Sequence, residues 1–148
     1  MYGEDNPLRI TIAFFFLAGL LSQPDTMAAA QQVADADVGQ LASVTLFAFG
    51  GVGFAGVRSA GEKEYGAIMS RASRLELLEK VLEIGTPEAK SYALVGIHNL
   101  DSARFKVLAA ELRLSKSVVH TARGCILGRT TLGAVIQQID GGAYSRYL

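Results

Sequence analysis

The chain has 148 residues, 14 basic and 14 acidic side chains, and a hydrophobic fraction of 50%. That length is one domain's worth and that apolar content supplies a sizeable core, so a disordered composition is excluded. A single cysteine and two histidines exclude an intrachain disulfide and a His/Cys metal site of ordinary spacing, and no motif calls for a cofactor.

The first element in chain order is apolar. Leu8 to Ser22 contains a charge-free run, Ile10 to Leu21, that is too short to cross a bilayer comfortably. Polar residues follow, and then Ala28-Ala29-Ala30. This order predicts a secretory signal peptide over residues 1–30, cleaved after Ala30, and a periplasmic or secreted mature chain. Its positive n-region charge comes down to Arg9 and the terminal amine, against Glu4 and Asp5. An uncleaved anchor and a start at Met27 are the two other readings. No cysteine lies near the cleavage point to take a bacterial-type lipid.

Residues 31–58 are expected to form a mature tail and an apolar, glycine-rich segment. Gln31 to Asp37 is small and polar, which predicts a flexible tail. Val38 to Val57 carries no charge and is long enough for a transmembrane helix. Membrane anchoring, or at least membrane contact, is one reading. The other is that Leu46-Phe47-Ala48-Phe49 runs into a glycine loop and lies against a helical body, since Gly50, Gly51, Gly53 and Gly56 weaken a helix. The glycine run lacks the Lys-Ser/Thr ending of a P-loop and does not open a βαβ unit, so it does not cradle phosphate.

Residues 59–148 read as a helical domain. Ser59 with Glu62 forms a capping box, followed by Tyr65, Ile68, Met69 and Ala72 at helical spacing. Ser73 with Glu76 forms another, leading into Leu75, Leu78 and Leu82, with Leu77, Val81 and Ile84 widening the stripe. Gly85 suits a left-handed helix end, Thr86 the next N-cap and Pro87 the first helical position. The helix from Pro87 to about Asn99 is apolar on too many sides for a simple hairpin. Asp101 or Ser102 caps a helix with the stripe Phe105, Leu108, Ala109 and Leu112. Val118 to Leu127 is open between a strand, because Val118, His120 and Ala122 alternate, and a short helix capped by Ser117. Thr130 or Thr131 caps a last helix with Leu132, Val135, Ile136 and Ile139 on one side, closed by Gly141-Gly142. The predicted fold is mainly α: a compact stack of short antiparallel helices with the glycine-rich apolar segment packed against it.

The run Gly-Thr-Pro-Glu-Ala from Gly85, continuing into Tyr-Ala-Leu-Val-Gly-Ile-His-Asn-Leu-Asp from Tyr92, resembles HEAT-type helical hairpins over about residues 62–114. The resemblance implies a scaffold that binds other macromolecules across stacked helices, and it carries over no catalytic residue.

The functional expectation is therefore an exported module that binds another protein; an inhibitor or immunity-type protein of a bacterial envelope fits that size. Ser102 to Leu148 holds seven bases and two acids. Among the bases, Arg104, Lys106, Arg113, Lys116, Arg123 and Arg129 make a candidate binding face. They form no dense run with interleaved aromatics, so nucleic acid is not expected as a partner. An enzyme would have to use Cys125, with Arg123 and His120 lowering its pKa, as a Cys–His nucleophile. The opposing expectation is that Cys125 is a small buried residue, as unpaired cysteines usually are, or is paired between chains. His98 is expected to be a hydrogen-bonded structural histidine.

Overall fold

The structure is a computed structural model that describes residues 24–147; the greater part of the predicted signal peptide lies outside them. The chain divides into two units, Met1–Gln32 and Val33–Leu148. Of the first unit, what is described is the opening of helix α1 (Pro24–Ala42), exposed from Thr26 onward. All buried apolar residues among those described belong to the second unit, starting at Ala34.

That second unit is assembled around α4 (Pro87–Leu100). Thr86 starts it as the sequence predicts, its hydroxyl accepting from the Ala89 amide at 3.1 Å, with Pro87 in the first turn. Ala89, Tyr92, Ala93, Leu94, Val95 and Ile97 are all wholly buried, because α4 is covered on several sides. Its neighbours are α2 (Ala60–Met69), α3 (Arg74–Ile84), α5 (Ser102–Ala109), α6 (Leu132–Asp140) and strand β3 (Val118–Arg123). Gly96 permits the approach of α3: a Cβ there would stand 2.5 Å from Leu78 Cδ1 and 3.1 Å from a Tyr65 ring carbon. The protein is mainly helical, but it is not a plain stack. Among the described residues two antiparallel hairpins complete it, β1 (Gly51–Val52) with β2 (Val57–Arg58), and β3 with β4 (Ile126–Thr131).

Most predicted helix starts are present. Ser59 accepts from Glu62 N at 3.0 Å, Asp101 from Arg104 N at 2.9 Å and Thr131 from Ala134 N at 3.2 Å. The Ser73 capping box does not form. Ser73 has φ -86° and ψ 22° rather than the extended backbone that aims a cap hydroxyl at the first-turn amides, and it makes no side-chain cap bond. Gly85 is likewise not left-handed, at φ -77° and ψ 164°. Space is what requires glycine there, since a Cβ would meet Val81 O at 2.6 Å and Ala89 Cβ at 2.8 Å.

Two expectations for residues 31–58 are corrected. The predicted flexible tail is helical and continues α1, with Ala34, Val38 and Leu41 buried at helical spacing. Val38–Val57 is not one helix: it begins as the end of α1, continues extended, and closes in the β1–β2 hairpin. Gly50, Gly53 and Gly56 take positive φ of 83°, 69° and 61°, which ends any helical run. No helix among the described residues is long and apolar enough to cross a membrane. The packing alternative describes Phe47 and Ala48, which are buried, and Phe49, which packs against the core. Phe47 N donates to His120 O at 2.8 Å and Phe47 O accepts from Ala122 N at 3.4 Å, which lays this segment along β3. The open reading of 118–127 resolves to a strand, whose register continues through β4 from Val118↔Thr131 to Arg123↔Ile126.

Candidate functional site

Tyr92 fixes the extended segment to α4. Its hydroxyl donates to Ala48 O at 2.7 Å and accepts from Ala48 N at 2.9 Å, with the Ser59 hydroxyl 3.0 Å away. Burial, the largest influence, raises the Tyr92 pKa, so the ring stays neutral and able to donate. This anchor sets where β1–β2 emerges. Its turn then meets the turn of β3–β4: Gly53 N donates to Gly124 O at 2.9 Å, and Val52 bridges Gly124 in parallel sense. The two turns are therefore tied side by side. On these hairpins Phe54 is completely exposed, and Val57, Ile126 and Leu127 are exposed large apolar side chains. β3 is bordered by β4 on one side and by Phe47 on the other, whereas among the described residues β4 has a partner on one side only.

Cys125 lies in this second turn and is exposed, which corrects the buried reading. The last register pair, Arg123↔Ile126, is three positions from His120, about 10 Å along the strand, and Cys125 lies beyond it in the turn. The structure does not bring the two together as nucleophile and base. His120 instead faces Glu88, in the first turn of α4. One Glu88 carboxylate oxygen accepts from His120 N at 2.8 Å and from its Nδ1 at 2.7 Å. A carboxylate only accepts, so Nδ1 carries the proton in this contact. Glu88 is only 4% exposed. Burial is the largest influence and pushes its pKa upward, but the two donations from His120 and other attractive contacts outweigh it, and Glu88 titrates below the ordinary carboxylate range. His98 is half-buried and stands edge-on to Phe105, with ring centroids 4.9 Å apart.

The predicted basic face is not one free surface. Arg104 grips Glu79 in a two-pronged pair, Nε to Oε1 at 2.6 Å and Nη2 to Oε2 at 3.0 Å, and holds that carboxyl below its usual range. Arg113 donates to Asp140 at 2.8 Å. Lys106, Lys116, Arg123 and Arg129 are exposed on α5, the following loop and the β3–β4 hairpin. Two of the six are thus committed to ion pairs, Arg104 on α5 with Glu79 on α3 and Arg113 in the turn after α5 with Asp140 on α6.

A different set of cations gathers at one place. Arg58, Arg74 and Arg146 line a single cavity of about 510 Å³, together with Phe49, Glu62, Tyr65 and Tyr147. Phe49 stacks on Tyr147 at 4.4 Å and meets Tyr65 edge-on at 5.3 Å. Tyr65 donates to Tyr147 O at 3.0 Å, and burial pushes its hydroxyl up to about 12. The sequence carries no signal for this grouping, because the three arginines come from the end of β2, the start of α3 and the C-terminal tail. Among the described residues no three His, Cys, Asp or Glu side chains cluster as metal ligands.

No family model, curated protein or solved structure matches the chain, so the resemblance to helical hairpins gains no support from comparison, and function is argued from geometry alone.

Proposed function

We propose that this chain is a protein-binding module whose contact surface is the joined turns of the two hairpins. The observation that carries the reading is Phe54, wholly exposed on a turn hydrogen-bonded to the turn that presents Ile126 and Leu127. A single exposed apolar residue is ordinary. Phe54 on its turn, Val57 on β2, and Ile126 and Leu127 on opposite faces of β4 together expose large apolar side chains on two backbone-tied hairpins, the kind of surface that marks an interaction site. The unpaired edge of β4 supplies backbone donors and acceptors beside it, as strand addition requires. The separation of Cys125 from His120 weighs against the enzyme alternative.

Export belongs to the same proposal. Its support is the order of apolar, polar and small residues from Leu8 to Ala30. Cleavage after Ala30 also removes none of the buried residues described, which begin at Ala34.

The test is a photo-crosslinking residue placed at Leu127 in the native host, with Glu83 as the exposed control position on α3. The expected result is one discrete protein adduct from Leu127, absent from Glu83 and lost when Phe54→Asp and Ile126→Asp are added. Identical adducts from both positions, or none from Leu127, overturn the assignment. N-terminal sequencing of the same material reads Gln31 first if the chain is exported and cleaved as proposed; an intact leader sinks that part.

A further inference from the structure

The arginine-lined cavity is a second site, separate in kind from the hairpin turns. Four ion pairs with carboxylates are made by other cations of the described residues: Arg71 with Asp37, Lys80 with Asp35, Arg104 with Glu79 and Arg113 with Asp140. Arg58, Arg74 and Arg146 make none among the described residues, yet all three border one cavity. Among the described residues its lining holds a single carboxylate, Glu62, and an oxygen of that group already accepts from Gly50 N at 3.1 Å. Three guanidinium groups against one carboxylate leave the rim with an excess of about two positive charges. Like charges brought to one mouth repel unless an anion joins them.

The cavity's other property is its aromatic wall. The stacked Phe49 and Tyr147 rings and Tyr65 behind them are held in place by the Tyr65 hydroxyl on Tyr147 O. The Arg146 guanidinium stands 5.0 Å from the centre of the Tyr147 ring, and Arg74 Nη1 reaches Met69 O at 3.5 Å. Two of the three cations are therefore already oriented by the cavity's own walls. An arginine fork matches the paired oxygens of a carboxylate or phosphate, and its flat face matches a ring. A volume of about 510 Å³ falls within the range of small-molecule pockets.

We propose that this cavity binds a small amphiphilic oxyanion, with its carboxylate or phosphate held by Arg58, Arg74 and Arg146 and its apolar body set beside the aromatic wall of Phe49, Tyr65 and Tyr147. The group recognised is the oxyanion in combination with the apolar body; neither half is sufficient.

The test uses the full chain, titrated with naphthyl phosphate, naphthoate, inorganic phosphate and naphthol, and followed by amide NMR and calorimetry. Saturable shifts of Gly50, Tyr65 and Tyr147 amides are expected with at least one of the two naphthyl anions, and the tighter of them assigns the head group. Inorganic phosphate and naphthol should each bind at least about tenfold more weakly. Arg58→Gln with Arg146→Gln should weaken the anion about tenfold or more while the spectrum away from the cavity is unchanged; Arg74→Gln alone is the second variant if that pair fails to fold. Equal binding of naphthol and the anions overturns the proposal, as does an affinity indifferent to the arginine substitutions. Absence of saturable shifts up to millimolar concentration overturns it as well. None of these outcomes depends on the hairpin turns, whose partner is tested separately.

Discussion

Glu88 combines two placements that favour opposite charge states. Burial at 4% exposure favours the neutral acid, whereas the start of α4 and two donors from His120 favour the carboxylate. The carboxylate wins, and this has a consequence for stability against pH. Because folding lowers the Glu88 pKa, the unfolded chain takes up the proton first as pH falls. Its contribution is therefore complete above the ordinary carboxylate range and is lost as pH drops through the lower, folded value. Glu88→Gln keeps the shape and one acceptor but loses the charge-assisted bonds. It should cost about 1–3 kcal/mol at neutral pH, and the gap to the parent protein should narrow on acidification. Urea unfolding of both proteins across a pH series measures this, with contributions of the other carboxylates cancelling in the difference. A gap of the same size at neutral and acid pH would show that the ionised state of Glu88 is not what matters. Glu88 and His120 stand 32 positions apart in the chain, so the sequence gives no hint of their meeting.

At the scale of elements, legibility followed the reach of the interaction that starts or stops each one. Helix α4 was readable because Thr86, Pro87 and Ala89 are adjacent, and the cap bond lies within one turn. The same local grammar failed at Ser73, where the backbone coming off α2 turns directly into α3 and leaves the hydroxyl misdirected. For residues 46–49 and 118–127 the sequence offered the packed segment and the strand each as one of two readings and could not decide between them, because bonds that hold these segments join Phe47 to His120 and Ala48 to Tyr92. An apolar, glycine-rich run with such partners unknown satisfies the length rule for a membrane span equally well. The two serine and threonine positions give a matched prediction. Thr86→Ala removes the acceptor for Ala89 N and also the donor to Val44 O at 2.6 Å, and should cost about 1–2 kcal/mol. Ser73→Ala removes no cap bond and should stay within about 0.5 kcal/mol of the parent. Thermal or urea unfolding of the pair decides it; a Ser73→Ala loss as large as that of Thr86→Ala would mean that the capping box is formed after all.

For the whole molecule, the arrangement around α4 implies an uneven distribution of stability. Amides from Ala89 to Ile97 lie in a helix whose side chains are covered by α2, α3, α5, α6 and β3, so opening them uncovers the shared core. The hairpin turns stand at the other extreme. Phe54 touches water on all sides, β1 and β2 are two residues each, and the turns are linked at Gly124, by the Gly53 N to Gly124 O bond and the Val52 bridge. A surface offered to a partner and a core that holds the fold are thus kept apart, and neither candidate site could be read from the chain because each is assembled from positions distant in sequence. Arg58 and Arg146 border one cavity, as Gly53 and Gly124 meet at the joined turns, only once α4 has gathered its neighbours. Hydrogen exchange tests the arrangement directly. The α4 amides should exchange only by global unfolding, with a protection free energy equal to that from urea, while residues 53–56 and 124–127 exchange through local opening and are faster by several orders of magnitude. Changing urea should therefore shift α4 exchange with the full slope of global unfolding and leave exchange at the turns almost unmoved. If α3 or α6 outlasts α4, the core is organised about a different helix, and the segment that ties Ala48 to Tyr92 is no longer the support on which the joined hairpins rest.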